Sequence, residues 1–220
     1  MLAWWNTLLL NRQKRKLKVP GFDFIFSDKC PNSYVCFDCE TTGLDPKKDK
    51  IVSLSAIKIQ GNQILTSQSL NLLIEQDALI ASDSIVVHHI RNIDVVEKES
   101  RSERLMTERQ AVKEFLEFIK GSTLVGYYLE FDVAMVNQVV KPWLGVTLPN
   151  QQIEVSALYY DHMVRLAKRS GHQGLQQPNV DLTFDKILQK LKLPNLGQHD
   201  AFSDALMTAL IFVKLQQDSI

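Results

Sequence analysis

The chain has 220 residues, 45% hydrophobic and 23% charged, an ordinary globular composition with enough length for one sizeable core. Lys+Arg and Asp+Glu both number 25, so the formal net charge is zero; any contact with nucleic acid must use a local patch, and a tight non-specific duplex binder is disfavoured. Three cysteines, Cys30, Cys36 and Cys39, are too few and too odd for a disulfide framework, and reduced thiols suit a cytoplasmic protein.

The chain opens on an apolar decapeptide, MLAWWNTLLL, followed by the basic run RQKRKLK. A secretory signal has the reverse order, and ten residues do not cross a bilayer, so no transmembrane segment is expected. Trp4, Trp5, Leu8 and Leu9 fall at helical spacing. Residues 1–30 read as an amphipathic, basic extension that docks on its own domain, joins two copies as a homodimer or lies on a membrane surface. Residues 31–220 read as one domain.

Tyr34 to Glu40 is β-branched and aromatic, and Thr41-Thr42-Gly43 after it is a turn signal, so a first strand is expected there. Ile51–Gln60 alternates as a second strand, and Gly61-Asn62 turns into a third over Gln63 to about Leu73. Residues 82–105 carry no strong period. Thr107-Glu108-Arg109-Gln110 fits a capping box that opens a helix with Val112, Phe115, Leu116 and Ile119 on one face, closed by Gly121. Ser122–Tyr128 is expected as a fourth strand, and Phe131–Val140 as a helix ended by Pro142. Ile153–Leu158 and a helix to Lys168 follow. SGHQGLQQPN (170–179) reads as a loop, and helices are expected over Thr183–Leu191 and Ala201–Leu215, the last packing Leu206, Ala209, Leu210 and Val213. Three antiparallel strands followed by strand–helix alternation predict an α/β fold, a mixed sheet with helices on its faces.

Within the first strand, VCFDCETTGL puts Asp38 and Glu40 two residues apart, hence on one face, with Phe37 and Cys39 on the other. Two neighbouring carboxylates near a core repel each other unless a cation sits between them. The bland reading is a pair of solvated acids on an edge strand; the sharper one is a divalent metal site at a strand end. Cys36-x-x-Cys39 has zinc spacing, yet residues three apart on a strand face opposite ways and no second pair follows, so both cysteines read as small hydrophobes. Asp132 stands at the head of a helix just after the fourth strand, and His199, Asp200 and Asp204 stand at the head of the last helix, with Asp200 as its N-cap. Together Asp38, Glu40, Asp132 and Asp204 bring four carboxylates to one end of a sheet, a donor set that suits Mg²⁺ or Mn²⁺ better than zinc.

The order Asp38-Cys39-Glu40-Thr41-Thr42-Gly43, then Val125-Gly126-Tyr127-Tyr128-Leu129-Glu130-Phe131-Asp132, then His199 to Asp204 resembles the motifs of the DEDDh-type 3′–5′ exonucleases. These DnaQ-like proteins are similar to the proofreading ε subunit of bacterial DNA polymerase III and to RNase T, on a ribonuclease H-like fold. The resemblance covers residues 34–215. It implies that Asp38, Glu40, Asp132 and Asp204 hold two Mg²⁺ or Mn²⁺ ions and that His199 is the general base. It further implies that nucleoside 5′-monophosphates leave single-stranded or frayed 3′ ends of DNA or RNA. Thr41, Thr42 and Gly43 would meet the 3′-terminal nucleotide, with Leu44 against its base.

Two departures bear on substrate. Val87-His88-His89-Ile90 stands where the family often has His-Gly-Ile, making His88 a candidate substrate contact. Tyr127-Tyr128 replaces the usual His-Asn; the two tyrosines are core aromatics, or one of them, with Tyr128 the candidate, stacks on a base. A polymerase partner would fit a proofreading role, and a catalytically silent exonuclease-fold module is the alternative reading.

Overall fold

A computed structural model describes residues 10–76, 105–169, 179–197 and 200–218. The expected elements at residues 1–9, including Trp4, Trp5, Leu8 and Leu9, and the segments 82–104 and 170–178 lie outside the described residues, as do His88 and His199.

Alternation of apolar side chains makes the first three strands. They are β1 (Ser33–Thr41), β2 (Ile51–Gln60) and β3 (Gln63–Ile74), antiparallel neighbours joined in the second case by a turn with Gly61 at φ 58°. Leu105–Met106 forms a short β4 parallel to β3. Next come α1 (Glu108–Phe118), β5 (Thr123–Gly126), α2 (Leu129–Leu144), β6 (Gln152–Glu154) and α3 (Val155–Arg169). The chain closes with α4 (Phe184–Leu191) and α5 (Ala201–Gln217). The strands form one six-stranded mixed sheet in the order β4-β3-β2-β1-β5-β6, with β5 parallel to both β1 and β6.

Helices cover both faces, as the pattern predicts. On one face Val35, Phe37 and Cys39 of β1 pack with α1 and α2 through Val112, Phe115, Val136 and Val140. Leu17, Val19, Phe22 and Ile25, from the residues expected as an extension, join that same core. On the other face Cys36 and Val125 pack with α3, α4 and α5 through Tyr159, Ile187, Met207 and Phe212. Burial of these side chains, at about 25 cal/mol per Å² of apolar surface, is the main force holding the layers together.

Several boundaries differ from expectation. The capping box at Thr107 forms, with Gln110 returning to the Thr107 backbone, but α1 closes on Ile119, and Gly121 at φ 70° shapes the next turn. Pro142 does not end α2: it sits in the last turn, and the helix continues to Leu144 before Gly145 caps it at φ 79°. A proline removes one backbone donor, a smaller loss in the final turn than in mid-helix. β5 stops at Gly126, and the segment after β6 is helical from Val155. The buried face of α5 is Ala205, Met207, Thr208, Ala209, Ile211, Phe212 and Leu215. Of the residues expected to pack there, only Ala209 is fully buried, whereas Leu206, Leu210 and Val213 are half-buried. That helix is apolar on nearly every side, so spacing alone does not choose its inner face.

Candidate active site

The register of β1 against its neighbours builds the site. Cys36 pairs Val125 on β5, which ends one residue later at Gly126, while β1 runs on to Thr41. The last residues of β1 therefore project past the end of β5. Asp38 and Glu40 lie opposite Ser55 and Ser53 of β2, small polar neighbours on the same face, and the register slips just after Glu40. Asp204, in the first turn of α5, reaches this face. A ligand atom from each of Asp38, Glu40 and Asp204 lies within 4.8 Å of the others.

Asp132 arrives from the opposite helical layer. It stands in the first turn of α2, is 4% exposed, and its Oδ1 accepts the Cys39 backbone N–H at 3.0 Å. That N–H belongs to the stretch of β1 that β5 no longer accompanies, so a helix carboxylate takes the place of a strand partner. Asp132 thus comes in beside the two strand acids around the end of the sheet. Two helix N-termini, each with partial positive charge, approach the same cluster.

The electrostatics favour a cation. Burial first, then the charges of Asp132, Glu40, Asp204 and Asp200, hold the Asp38 carboxyl well above the usual range. Burial and the charges of Asp204 and Asp200 push Glu40 up to about 7. Burial pushes Asp132 up to about 8 even though the Cys39 N–H bond opposes it. Buried acids whose charges push one another's carboxyls upward are ill-suited to standing alone and well suited to divalent cations with oxygen ligands, so the donor set fits Mg²⁺ or Mn²⁺. The Cys39 thiol is buried against Asp132, which together raise its pKa well above the ordinary value, and Cys36 is driven up by burial alone. Neither thiol has the character of a metal-binding thiolate.

Around this cluster the expected substrate residues divide. The Thr41 hydroxyl donates to the Gly43 carbonyl at 2.7 Å. The Thr42 hydroxyl accepts the Lys50 N–H at 3.0 Å and donates to Asp49 Oδ1 at 3.1 Å. Both hydroxyls shape the loop that leaves β1. Gly43 leaves room for the Asp49 carboxylate: a Cβ there would lie 2.6 Å from Asp49 Oδ2, and Asp49 would have to shift. Leu44 is 86% exposed. Tyr127 turns inward, its hydroxyl on the Leu182 carbonyl at 3.0 Å and its ring against Phe184, while Tyr128 is 63% exposed. Asp200 caps α5, accepting Ser203 N–H at 3.1 Å, in the role expected of it. His199 directly precedes that cap and lies outside the described residues.

Two residues that sequence reasoning missed hold the site in place. Asp49 anchors the loop after β1 through Thr42 and through the Asp45 N–H at 2.8 Å. It reads in sequence as one more charge in KKDK, and its bond to Thr42 spans seven residues. Glu154, at the end of β6, accepts the Leu129 N–H at 2.9 Å and so caps α2 from a neighbouring strand. No local pattern announces that contact.

The six-stranded mixed sheet with helices on both faces and acids at its strand ends has the architecture of the ribonuclease H-like fold. The exonuclease family profile matches residues 35–212, and the chain belongs to that family, the DnaQ-like DEDDh 3′–5′ exonucleases. Among its relatives, the PolC-type DNA polymerase III of Thermotoga maritima is 29% identical over 182 residues, 83% of this chain but 12% of that protein. The DNA polymerase III subunit epsilon of Aquifex aeolicus is 25% identical over 186 residues, 84% of this chain and 81% of that one. Escherichia coli exonuclease I in complex with a dT13 oligonucleotide superposes with a TM-score of 0.64 at 13% identity, over 86% of this chain and 42% of that one. Cell-death related nuclease 4 gives 0.64 at 14% identity, over 87% and 66%. These two likenesses show the fold. The chain thus spans a small part of the PolC-type relatives and most of the epsilon subunit. Among the described residues no helix is long and apolar enough to cross a membrane.

Proposed function

We propose that the chain removes nucleotides from the 3′ end of a single-stranded or frayed nucleic acid in a divalent-metal-dependent hydrolysis that releases nucleoside 5′-monophosphates. The observation that carries this reading is the gathering of Asp38, Glu40 and Asp204 ligand atoms within 4.8 Å, with Asp132 tied to the strand between the first two. Asp38, Glu40, Asp132 and Asp204 would hold two cations of the Mg²⁺ or Mn²⁺ type. When bound, these supply the positive charge that neutralises the scissile phosphate and acidifies water. His199 takes the proton of the attacking water at a ring nitrogen, a task for which an imidazole titrating near neutrality is suited. The water oxygen forms its bond to phosphorus, the bond from phosphorus to the 3′ oxygen breaks, and that oxygen takes a proton from solvent, so the shortened strand leaves with a 3′ hydroxyl. The loop of Thr41, Thr42 and Gly43 positions backbone groups at the terminal nucleotide, Leu44 offers an apolar edge to its base, and His88 is a further candidate contact. The likeness to epsilon subunits and PolC-type polymerases supports a proofreading role beside a polymerase.

The test is digestion of matched, uniformly labelled DNA and RNA oligomers with Mg²⁺ or Mn²⁺. Chromatography should show mononucleotides that co-migrate with 5′-monophosphates, and none with Asp38→Asn. Oligomers that survive in both metals refute the proposal. Co-purification with a polymerase activity tests the proofreading role separately.

A further inference from the structure

Tyr128 breaks three local rules at once. It has φ 57° and ψ 33°, the left-handed region that costs an aromatic residue free energy and that asparagine or glycine enters readily. It is the N-cap of α2, a position favouring Ser, Thr, Asp or Asn, and its side chain makes no cap hydrogen bond; the Glu154 carboxylate serves Leu129 N–H instead. Its ring is 63% exposed, second only to Leu44 among the exposed large hydrophobic side chains of the described residues. Backbone strain and exposed apolar surface that persist together at one residue point to use by a ligand.

The placement says which ligand. Tyr128 precedes Asp132 by four residues and Leu44 follows Glu40 by four, so the two most exposed apolar side chains of the described residues stand within about one helical turn of chain from a carboxylate of the cluster. The Tyr128 ring lies nearly parallel to Phe131, 20° between planes and 6.3 Å between centroids, and most of its surface is open to solvent. A flat, solvent-facing ring close in the chain to a carboxylate of the proposed phosphodiester-cleaving site is suited to an unpaired nucleobase. We infer that Tyr128 is a base-stacking platform that binds an unstacked base near the 3′ end and thereby favours single strands over duplex ends. This rests on the proposed exonuclease function. A base inside a duplex already has both faces covered, so the platform gains nothing from it.

The test measures binding apart from hydrolysis. Fluorescence anisotropy of a 5′-fluorescein dT oligomer, with Ca²⁺ in place of Mg²⁺, should show Tyr128→Ala and Tyr128→Asn weakening binding about tenfold, the size expected for one lost stacked base. Tyr128→Phe should restore it. Asparagine relieves the backbone strain, so Tyr128→Asn should also melt at a higher temperature, which keeps a binding loss from being read as unfolding. Oligomers carrying one abasic site at each of the last three positions should include one on which the variants lose nothing further, and blunt duplexes should bind all variants alike. Equal single-strand affinity for Tyr128→Ala, or the same penalty on every abasic oligomer and on duplex, overturns the inference. Failure of hydrolysis with the stacking effect intact would count against the exonuclease proposal alone.

Discussion

Removing the divalent cations should make this protein lose stability as pH rises, the reverse of ordinary acid denaturation. Glu40 in the folded state titrates at about 7 instead of 4.5, because burial and the charges of Asp204 and Asp200 favour its protonated form. A group raised in this way binds more protons folded than unfolded, so its contribution is fully present below about pH 4.5 and is lost as pH climbs through 7. At about 1.4 kcal/mol per pH unit, the rise is worth about 3 kcal/mol. Asp38 and Asp132 shift in the same direction and reinforce the trend. For a domain of this size about 3 kcal/mol corresponds to roughly 6–12 °C in melting temperature. Calorimetry in chelator should therefore show a melting temperature lower at pH 8 than at pH 5 by roughly 5–10 °C, since part of the loss falls below pH 5. Glu40→Gln should recover part of the loss at pH 8. Saturating Mn²⁺ should flatten the curve, because a cation bound only to the folded state replaces the protons. A melting temperature that is flat or rises between pH 5 and pH 8 in chelator would refute the picture of converging buried acids.

Other substitutions separate charge, packing and capping. Asp132→Asn keeps an acceptor for the Cys39 N–H but removes a buried charge, so it should raise the chelated protein's melting temperature at pH 8 while cutting oligonucleotide turnover at least a hundredfold. Gly43→Ala drives a methyl group to 2.6 Å from the Asp49 carboxylate and should cost about 1–3 kcal/mol by chemical denaturation, part of it recovered in Gly43→Ala with Asp49→Ala. Thr107→Ala removes the capping box of α1 and should lower stability by about 1 kcal/mol with no effect on turnover, read from urea melts and oligomer digestion. His199→Ala should reduce turnover strongly while Mn²⁺ binding, followed by electron paramagnetic resonance, persists, because the four carboxylates remain; loss of the Mn²⁺ signal would reassign the histidine.

Where local chemistry sets structure, the sequence was a sufficient guide. The alternation in β2, the Gly61 turn, the Thr107 box and the Asp200 cap all depend on residues within a few positions of one another, and all form. Period two along β1 also placed Asp38 and Glu40 on the face opposite Phe37 and Cys39, as the two separate cores confirm. What escaped depends on distant partners. The packed face of α5 follows from the layer it meets, and the anchoring by Glu154 joins residues 25 positions apart through strand order. Tyr127 and Tyr128 are identical in sequence and opposite in orientation, because one precedes and the other occupies the left-handed corner into α2.

The same strand offset accounts for both the strain and the chemistry of this site. If β5 ran alongside β1 to its end, the Cys39 N–H would be paired within the sheet and Asp132 would have no anchor there. Because β5 stops at Gly126, the chain must turn at once into α2, and that turn puts Tyr128 in the left-handed region while delivering Asp132 to the open strand edge. A longer β5 would relieve Tyr128 and lose the fourth carboxylate from the cluster. Inserting one residue between Gly126 and Tyr127 should accordingly do more than unsettle a loop: it should rotate Asp132 by about a quarter turn of the helix and remove it from Cys39. The expected readout is weaker Mn²⁺ binding with the Asp38–Glu40–Asp204 set still present, so that residual affinity remains. Unaltered Mn²⁺ affinity in the insertion variant would mean that Asp132 does not belong to the metal site.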